Sequence, residues 1–160
     1  MQNKKELTLE RVFNAPLASV WKAWTDPKML KKWWGPDNVT IPECTVDLRV
    51  GGTFYIVMEA GEAMGQYKGT KWPMKAEFTV VEPPSKLSYT AKAWTEGQDK
   101  ETMIDQTTEV TLTEENGKTK VKVRAIINNP ATAPAMAVEG MQGGFTQQLA
   151  KLNDFLTSNL

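Results

Sequence analysis

The 160-residue chain contains no histidine and one cysteine, Cys44. Without histidine it cannot form a Ser-His-Asp or Cys-His catalytic set, and it has no imidazole to act as a general base or a metal ligand. A single cysteine excludes a disulfide within the chain, and such a thiol is typical of a small core residue. We therefore predict no metal site and no cofactor, and any catalysis would depend on Asp, Glu, Lys, Tyr or bound water.

An excess of positive charge is also lacking, because 19 Lys and Arg residues balance 19 Asp and Glu residues. Nucleic-acid binding usually needs a basic face, and the densest basic stretch, Lys28, Lys31 and Lys32, is typical of a solvated helix surface. We therefore expect no nucleic-acid partner.

Long apolar runs are missing as well. No segment approaches the roughly 20 apolar residues that span a bilayer, and residues 1–10 (MQNKKELTLE) lack the apolar core of a signal peptide. We expect a soluble cytoplasmic protein with no membrane span. The sequence leaves open whether it is a monomer or a homodimer.

What is present is typical of a globular domain, with 41% hydrophobic and 24% charged residues. No linker, repeat or low-complexity segment divides the chain, so we predict one domain over residues 1–160. Alternation predicts a first strand over Glu6–Phe13, and two short tryptophan-containing helices follow, the second starting at Asp26-Pro27 and ending at Gly35-Pro36.

From about Val39 the hydrophobic period changes to two, which predicts a series of strands as far as Ile127. Short turns join them, including a strong hairpin signal at Asn116-Gly117, so the strands must be antiparallel. The segment AGEAMGQYKG (60–69) reads as a loop or a ragged hairpin. In the next strand, Ala76, Phe78 and Val80 share one face.

The chain from Ala131 to Leu160 reads as helical, and its apolar residues form one stripe. That stripe consists of Val138, Met141, Phe145, Leu149, Leu152 and Leu156. Packing it on the apolar face of the sheet predicts the fold class: α+β, a curved antiparallel sheet of about six to seven strands gripping a long C-terminal helix, with two short helices after the first strand.

Several motifs appear in a characteristic order: FNAP (13–16), VWKAWTDP (20–27), WWGP (33–36), VDLRVGG (46–52) and VEPPSKL (81–87), then Gly140-Met141 and Gly144-Phe145. Together they resemble the START/Bet v 1-like (SRPBCC) helix-grip superfamily, in the branch similar to the C-terminal domain of the Hsp90 ATPase activator. The chain departs from that pattern between Gly61 and Ala76, where it is irregular and carries Trp72-Pro73.

The resemblance implies a domain that binds a small apolar or amphipathic molecule between sheet and helix. It also implies two alternatives: a protein-interaction module with a chaperone as partner, and a polyketide cyclase or aromatase-like pocket enzyme. The interaction module would need an exposed aromatic patch, for instance at Trp94 or Trp72. The enzyme would use a carboxylate or a tyrosine such as Tyr89 or Tyr55. We expect a binding domain rather than an enzyme, and we assign no catalytic residue.

Alternation and the helix stripe nominate side chains for the ligand site, and Trp34 is added because adjacent Trp33 and Trp34 cannot both face inward, so one of them would lie at the pocket mouth. These are Trp34, Phe54, Ile56, Met58, Phe78, Tyr89, Gln106, Thr108, Met141 and Phe145. Gln106 and Thr108 are polar residues on an apolar face, so they form either a satisfied local pair or a ligand-orienting pair. Gly143-Gly144 indicates either close packing on the sheet or empty space beneath the helix.

Overall fold

A computed structural model describes residues 4–98 and 103–158. Its elements follow the predicted order of one strand, two short helices, six strands and a helical C-terminal region. They are β1 (Lys5–Phe13), α1 (Leu17–Thr25), α2 (Pro27–Trp33), β2 (Val39–Val46), β3 (Thr53–Ala60), a 3₁₀ segment (Glu62–Tyr67), β4 (Lys71–Glu82), β5 (Lys86–Ala93), β6 (Ile104–Glu115), β7 (Lys118–Ile127), α3 (Ala135–Glu139) and α4 (Met141–Ser158).

The seven strands form one antiparallel sheet in the order β1-β7-β6-β5-β4-β3-β2. Strands β2 to β7 are a simple meander, and β1 pairs with β7 at the far edge. The hairpin predicted at Asn116-Gly117 joins β6 to β7, and both residues have positive φ, as a tight hairpin turn requires. The structure confirms the predicted α+β class with short helices after β1.

The two short helices are held by a cap and by a tryptophan. The Asp26 carboxylate accepts a hydrogen bond from the Lys28 N–H at 2.8 Å, and Pro27 occupies the first helical position. The fully buried Trp33 donates from Nε1 to the Ala23 carbonyl at 2.9 Å, which ties α2 to α1. These contacts support helices that are too short to be stable alone.

The predicted apolar stripe of the C-terminal region faces the sheet, with Leu149, Leu152 and Leu156 buried. The prediction of continuous helix from Ala131 was wrong, because the chain enters α3 only after Pro134 and the helix is interrupted at Gly140 between α3 and α4. Proline disfavours helical geometry in the residue before it, which explains the late start.

Strand β4 corrects two further expectations. It begins at Lys71, so Trp72 and Pro73 lie within a strand, and only the residues from Glu62 to Tyr67 form a separate 3₁₀ segment. A bulge between Phe78 and Val80 then shifts the register, so that Val81 rather than Val80 packs against the core. One extra residue reverses the faces of all side chains beyond it.

Candidate functional site

A cavity of about 760 Å³ lies between the sheet and the C-terminal helices. The sheet side is formed by side chains of β2 to β7, among them Ile56, Met74 and Ile127. Helix α4 contributes Met141 and Phe145. The sequence therefore builds this space from the same two apolar surfaces that form the core.

Tryptophans and methionines dominate the cavity wall. Three of the chain's six tryptophans line it, Trp34, Trp72 and Trp94. Five of the seven methionines among the described residues also line it, namely Met58, Met64, Met74, Met136 and Met141. Thioether chains are flexible and polarisable, and they make favourable contacts with aromatic rings. The wall can therefore adapt its shape to an aromatic or aliphatic molecule.

The polar groups of the wall carry no formal charge. Among the described residues that line the cavity there is no Asp, Glu, Lys or Arg. Gln106 donates from Nε2 to the Thr108 hydroxyl at 3.1 Å, so the two inward polar residues form a local pair while Gln106 also contributes to the wall. A buried ionised ligand would find no partner charge on this wall, and its desolvation would be costly.

Gln148 of α4 supplies another side-chain amide to the wall. Its Oε1 accepts a hydrogen bond from the Gly35 N–H at 3.2 Å. Its Nε2 is buried and has no hydrogen-bond partner among the described residues. An unpaired buried donor is costly, so this amide is the most unusual polar feature of the cavity.

The loop after α2 is clamped onto α4 by three side chains. In addition to Gln148, Gln147 Oε1 accepts from the Asp37 N–H at 3.0 Å. Lys151 Nζ donates to the carbonyls of Trp34 and Pro36 at 3.1 and 3.2 Å. Trp34 and Pro36 line the cavity, so the clamp fixes one wall to the helix.

Two glycines differ in the space around them. Gly35 has φ +85°, and a Cβ there would lie 2.8 Å from Met58 Sδ, so only glycine fits. Gly144 lines the cavity, and a Cβ added there would meet no atom within 4 Å. Of the two alternatives for the helix glycines, empty space is the one found beneath Gly144. Gly143 is exposed.

Six of the ten nominated ligand-site residues line the cavity. These are Trp34, Ile56, Met58, Gln106, Met141 and Phe145. The remaining four lie in the closed core instead, where Phe54, Phe78 and Tyr89 pack ring against ring with centroids 5.3 to 6.1 Å apart and Thr108 is buried with them. Whether the six lining residues bind a ligand stays a prediction.

Tyr89, the tyrosine nominated for catalysis, is fully enclosed. Burial raises its pKa well above the ordinary value, and hydrogen bonding with Thr108 opposes that shift only in part. The phenol therefore stays protonated near neutral pH. Tyr55 is also absent from the cavity wall, and a weaker effect of burial raises its pKa.

Sequence reasoning missed Trp72, Trp94 and Gln148 as wall residues. Strand β5 ends at Ala93, and the Trp94 N–H donates to the Pro73 carbonyl at 3.1 Å, so alternation no longer applies to Trp94. Trp94 therefore lines the cavity instead of forming the exposed aromatic patch considered for it. Gln148 follows Met141 by seven residues and was detectable as a polar member of the same helix stripe.

No helix in the described part of the chain is both long and apolar enough to cross a membrane. Within residues 4–98 and 103–158, no three His, Cys, Asp or Glu side chains are grouped so that they could hold a metal ion.

Comparisons with known proteins relate this chain to one protein family and to several solved structures. A family model described as activator of Hsp90 ATPase homolog 1-like protein (AHSA1) matches residues 14–157. No functionally curated protein matches the chain in sequence. A solved structure from Nitrosomonas europaea is 27% identical with a TM-score of 0.76, and the alignment covers 96% of this chain and 94% of that one.

Two further solved structures extend the comparison. A protein from Chromobacterium violaceum is 25% identical, has a TM-score of 0.78, and aligns over 95% of this chain and 96% of its own. An AHSA1 protein from Silicibacter pomeroyi is 21% identical with a TM-score of 0.77, over 97% and 99% of the two chains, which shows the shared fold. Since the family model matches most of its length, the chain belongs to the AHSA1 family, within the START/Bet v 1-like helix-grip fold.

Proposed function

We propose that the protein binds a small, uncharged, apolar or amphipathic molecule in the cavity between the sheet and α4. The observation that supports this most directly is the cavity itself, whose volume of about 760 Å³ falls within the range of small-molecule sites. Its wall is mostly apolar and has a few uncharged polar groups, as expected for a site that holds its ligand by shape and a few hydrogen bonds.

The exposure of two lining residues supports an entrance for such a molecule. Met136 of α3 is 80% exposed and Tyr67 at the end of the 3₁₀ segment is 50% exposed, yet both line the cavity. A residue that both lines a cavity and meets solvent lies at its rim. We infer that the molecule enters between α3 and the 3₁₀ segment.

Two neighbouring helix glycines provide a matched test with the neutral fluorescent probe N-phenyl-1-naphthylamine. Neither glycine has an atom within 4 Å of an added Cβ, but only Gly144 lines the cavity. We expect the wild-type protein to bind the probe with a rise in fluorescence, Gly144→Leu to weaken binding at least tenfold, and Gly143→Leu to bind like wild type. Absence of probe binding, or equal weakening by both substitutions, would contradict the proposal.

Native mass spectrometry of protein purified without denaturation is an independent test. A retained small molecule in the wild-type spectrum, reduced in Gly144→Leu, would support binding in the cavity. Its chemical class would then be read from its mass and fragmentation.

The family description supports a second candidate, an interaction with an Hsp90 chaperone. The aromatic patch proposed for such a contact is not where it was expected, because Trp72 and Trp94 are half-buried in the cavity wall. Exposed apolar side chains occur instead at Leu48 and Val50, in the turn between β2 and β3. Stimulation of an Hsp90 ATPase by the wild-type protein, lost in a Leu48→Ser/Val50→Ser variant, would support this candidate. No stimulation would count against it.

A further inference from the structure

We infer that the cavity selects a neutral aromatic molecule that carries a hydrogen-bond acceptor, such as a ketone or an ester, and that this acceptor receives a hydrogen bond from Nε2 of Gln148. The inference rests on the proposed function. It adds to that proposal the chemical class of the ligand and the side chain that recognises it.

The orientation of the Gln148 amide follows from its partner. The Gly35 backbone N–H can only donate, so the amide oxygen must face it, as the 3.2 Å contact shows. The NH₂ group is thereby turned away from Gly35. An amide flip would place donor against donor, so the identity of the unpaired group as a donor is fixed.

That donor is unsatisfied although it is enclosed. Gln148 is only 6% exposed. Among the described residues, two buried side-chain nitrogens lack a partner, Trp24 Nε1 and Gln148 Nε2. Only Gln148 lines the cavity. Leaving such a group unpaired lowers stability, and an acceptor brought by a ligand would remove that cost.

Two other polar side chains of this region are already engaged. Gln106 uses its Nε2 on Thr108, and Lys151 uses its Nζ on the carbonyls of Trp34 and Pro36. The described lining residues include no cation to pair with a carboxylate. A neutral acceptor therefore fits this wall better than an anion does.

The empty space lies beside the amide. Gly144 precedes Gln148 by four residues on α4, so the two positions occupy the same helix face one turn apart. The missing side chain at Gly144 leaves room there, and the aromatic rings of Trp34 and Phe145 also line the cavity. Because Nε2 is covered in the structure, the ligand reaches it only after a neighbouring side chain moves aside.

The test compares two probes of nearly equal shape, 2-acetylnaphthalene and 2-isopropylnaphthalene, on three proteins. Gln148→Met removes the donor, and Gln147→Met is the matched control because Gln147 also accepts from the clamped loop but does not line the cavity. The difference in hydration between the probes is the same for every protein, so it cancels when the ratio of the two dissociation constants is compared between wild type and variant. We expect the wild-type preference for the ketone to fall about threefold to tenfold in Gln148→Met and to be unchanged in Gln147→Met.

An unchanged ratio in Gln148→Met, with both probes still bound, overturns the role of Gln148 but leaves cavity binding intact. Failure of both probes to bind wild type overturns the proposed function and this inference together. A measurement on the wild-type protein does not depend on any variant folding: the carbonyl stretch of bound 2-acetylnaphthalene should lie at lower wavenumber than in a hydrocarbon solvent. A hydrocarbon-like frequency in the bound state would also overturn the assignment.

Discussion

At the scale of single residues, the reactivity of the Cys44 thiol in β2 reports how tightly the region beside α2 is packed. Burial raises its pKa to about 11 from the ordinary 9.0, against a smaller lowering by the Lys31 charge. Because the thiolate is the reactive form, folded protein at pH 8 should react with iodoacetamide about 100-fold more slowly than the urea-unfolded chain. Quenched alkylation followed by mass spectrometry measures both rates.

The pH dependence gives the internal control for Cys44. A raised pKa keeps the thiol protonated, so the alkylation rate of the folded protein should keep increasing above pH 9, where that of the unfolded chain approaches its plateau. Equal rates for the folded and unfolded chains at pH 8 would show that the thiol is as accessible in the fold as in the open chain.

Residue periodicity predicts which face a side chain occupies but not how far along the strand the cavity begins. Phe54, Ile56 and Met58 all contribute to the core side of the sheet, as the alternation predicts. Phe54 lies at the closed end, where its ring packs against Phe78 and Tyr89, whereas Ile56 and Met58 reach the cavity. The position of that boundary depends on where the helix and the Trp34 loop leave the sheet, which is a tertiary property. For this reason four of the ten nominated residues lie in the closed core and do not reach the cavity.

At the scale of elements, the clamp between α4 and the loop after α2 should contribute measurably to stability. Lys151 Nζ donates to two backbone carbonyls, and burial lowers its pKa in spite of the nearby Asp37 charge. Lys151→Met keeps the apolar stem and removes the donors, which leaves two carbonyls with less hydrogen bonding. We expect a loss of about 1–2 kcal/mol in the free energy of unfolding, discounted for partial exposure.

Urea denaturation monitored by tryptophan fluorescence measures the effect of Lys151→Met. Lys22→Met, on the exposed side of α1, controls for the removal of a lysine charge. The clamp has no energetic role if the two variants unfold at the same urea concentration. If only Lys151→Met unfolds at a lower urea concentration than wild type, the loss of stability is assigned to the contact between Lys151 and the loop.

Strand β4 shows why element boundaries were harder to predict than element order. Proline is rarely found inside a strand, so Trp72-Pro73 read as loop. The residues up to Pro73 pair with β3, whereas ladder pairing with β5 starts only at Met74, so the proline lies where the strand has one ladder partner. The bulge after Phe78 leaves no signal in the hydrophobic pattern, since Val80 and Val81 are both apolar and adjacent.

At the scale of the whole molecule, the order of β2 to β7 could be predicted from the sequence, but the pairing of β1 with β7 could not. Short turns force neighbouring strands to pair, and this reasoning gives β2 to β7 in order. The partner of β1 is β7, more than a hundred residues later, and Arg124 of β7 forms ion pairs with Glu6 of β1 and Glu109 of β6. Such a long-range pairing depends on the complete fold rather than on any local motif.

The cavity also implies that the whole molecule is less stable than its architecture allows. Leucine at either helix glycine should gain roughly 1 kcal/mol of helix propensity. At Gly144 the added side chain would also be buried in the cavity, worth roughly a further 1–2 kcal/mol. We therefore expect Gly144→Leu to raise the free energy of unfolding more than Gly143→Leu does, in urea denaturation without added ligand. A smaller gain for Gly144→Leu would mean that the space beneath the helix is not available to a side chain. If the expected order is observed together with weaker probe binding, the same unfilled volume both lowers stability and creates the binding site.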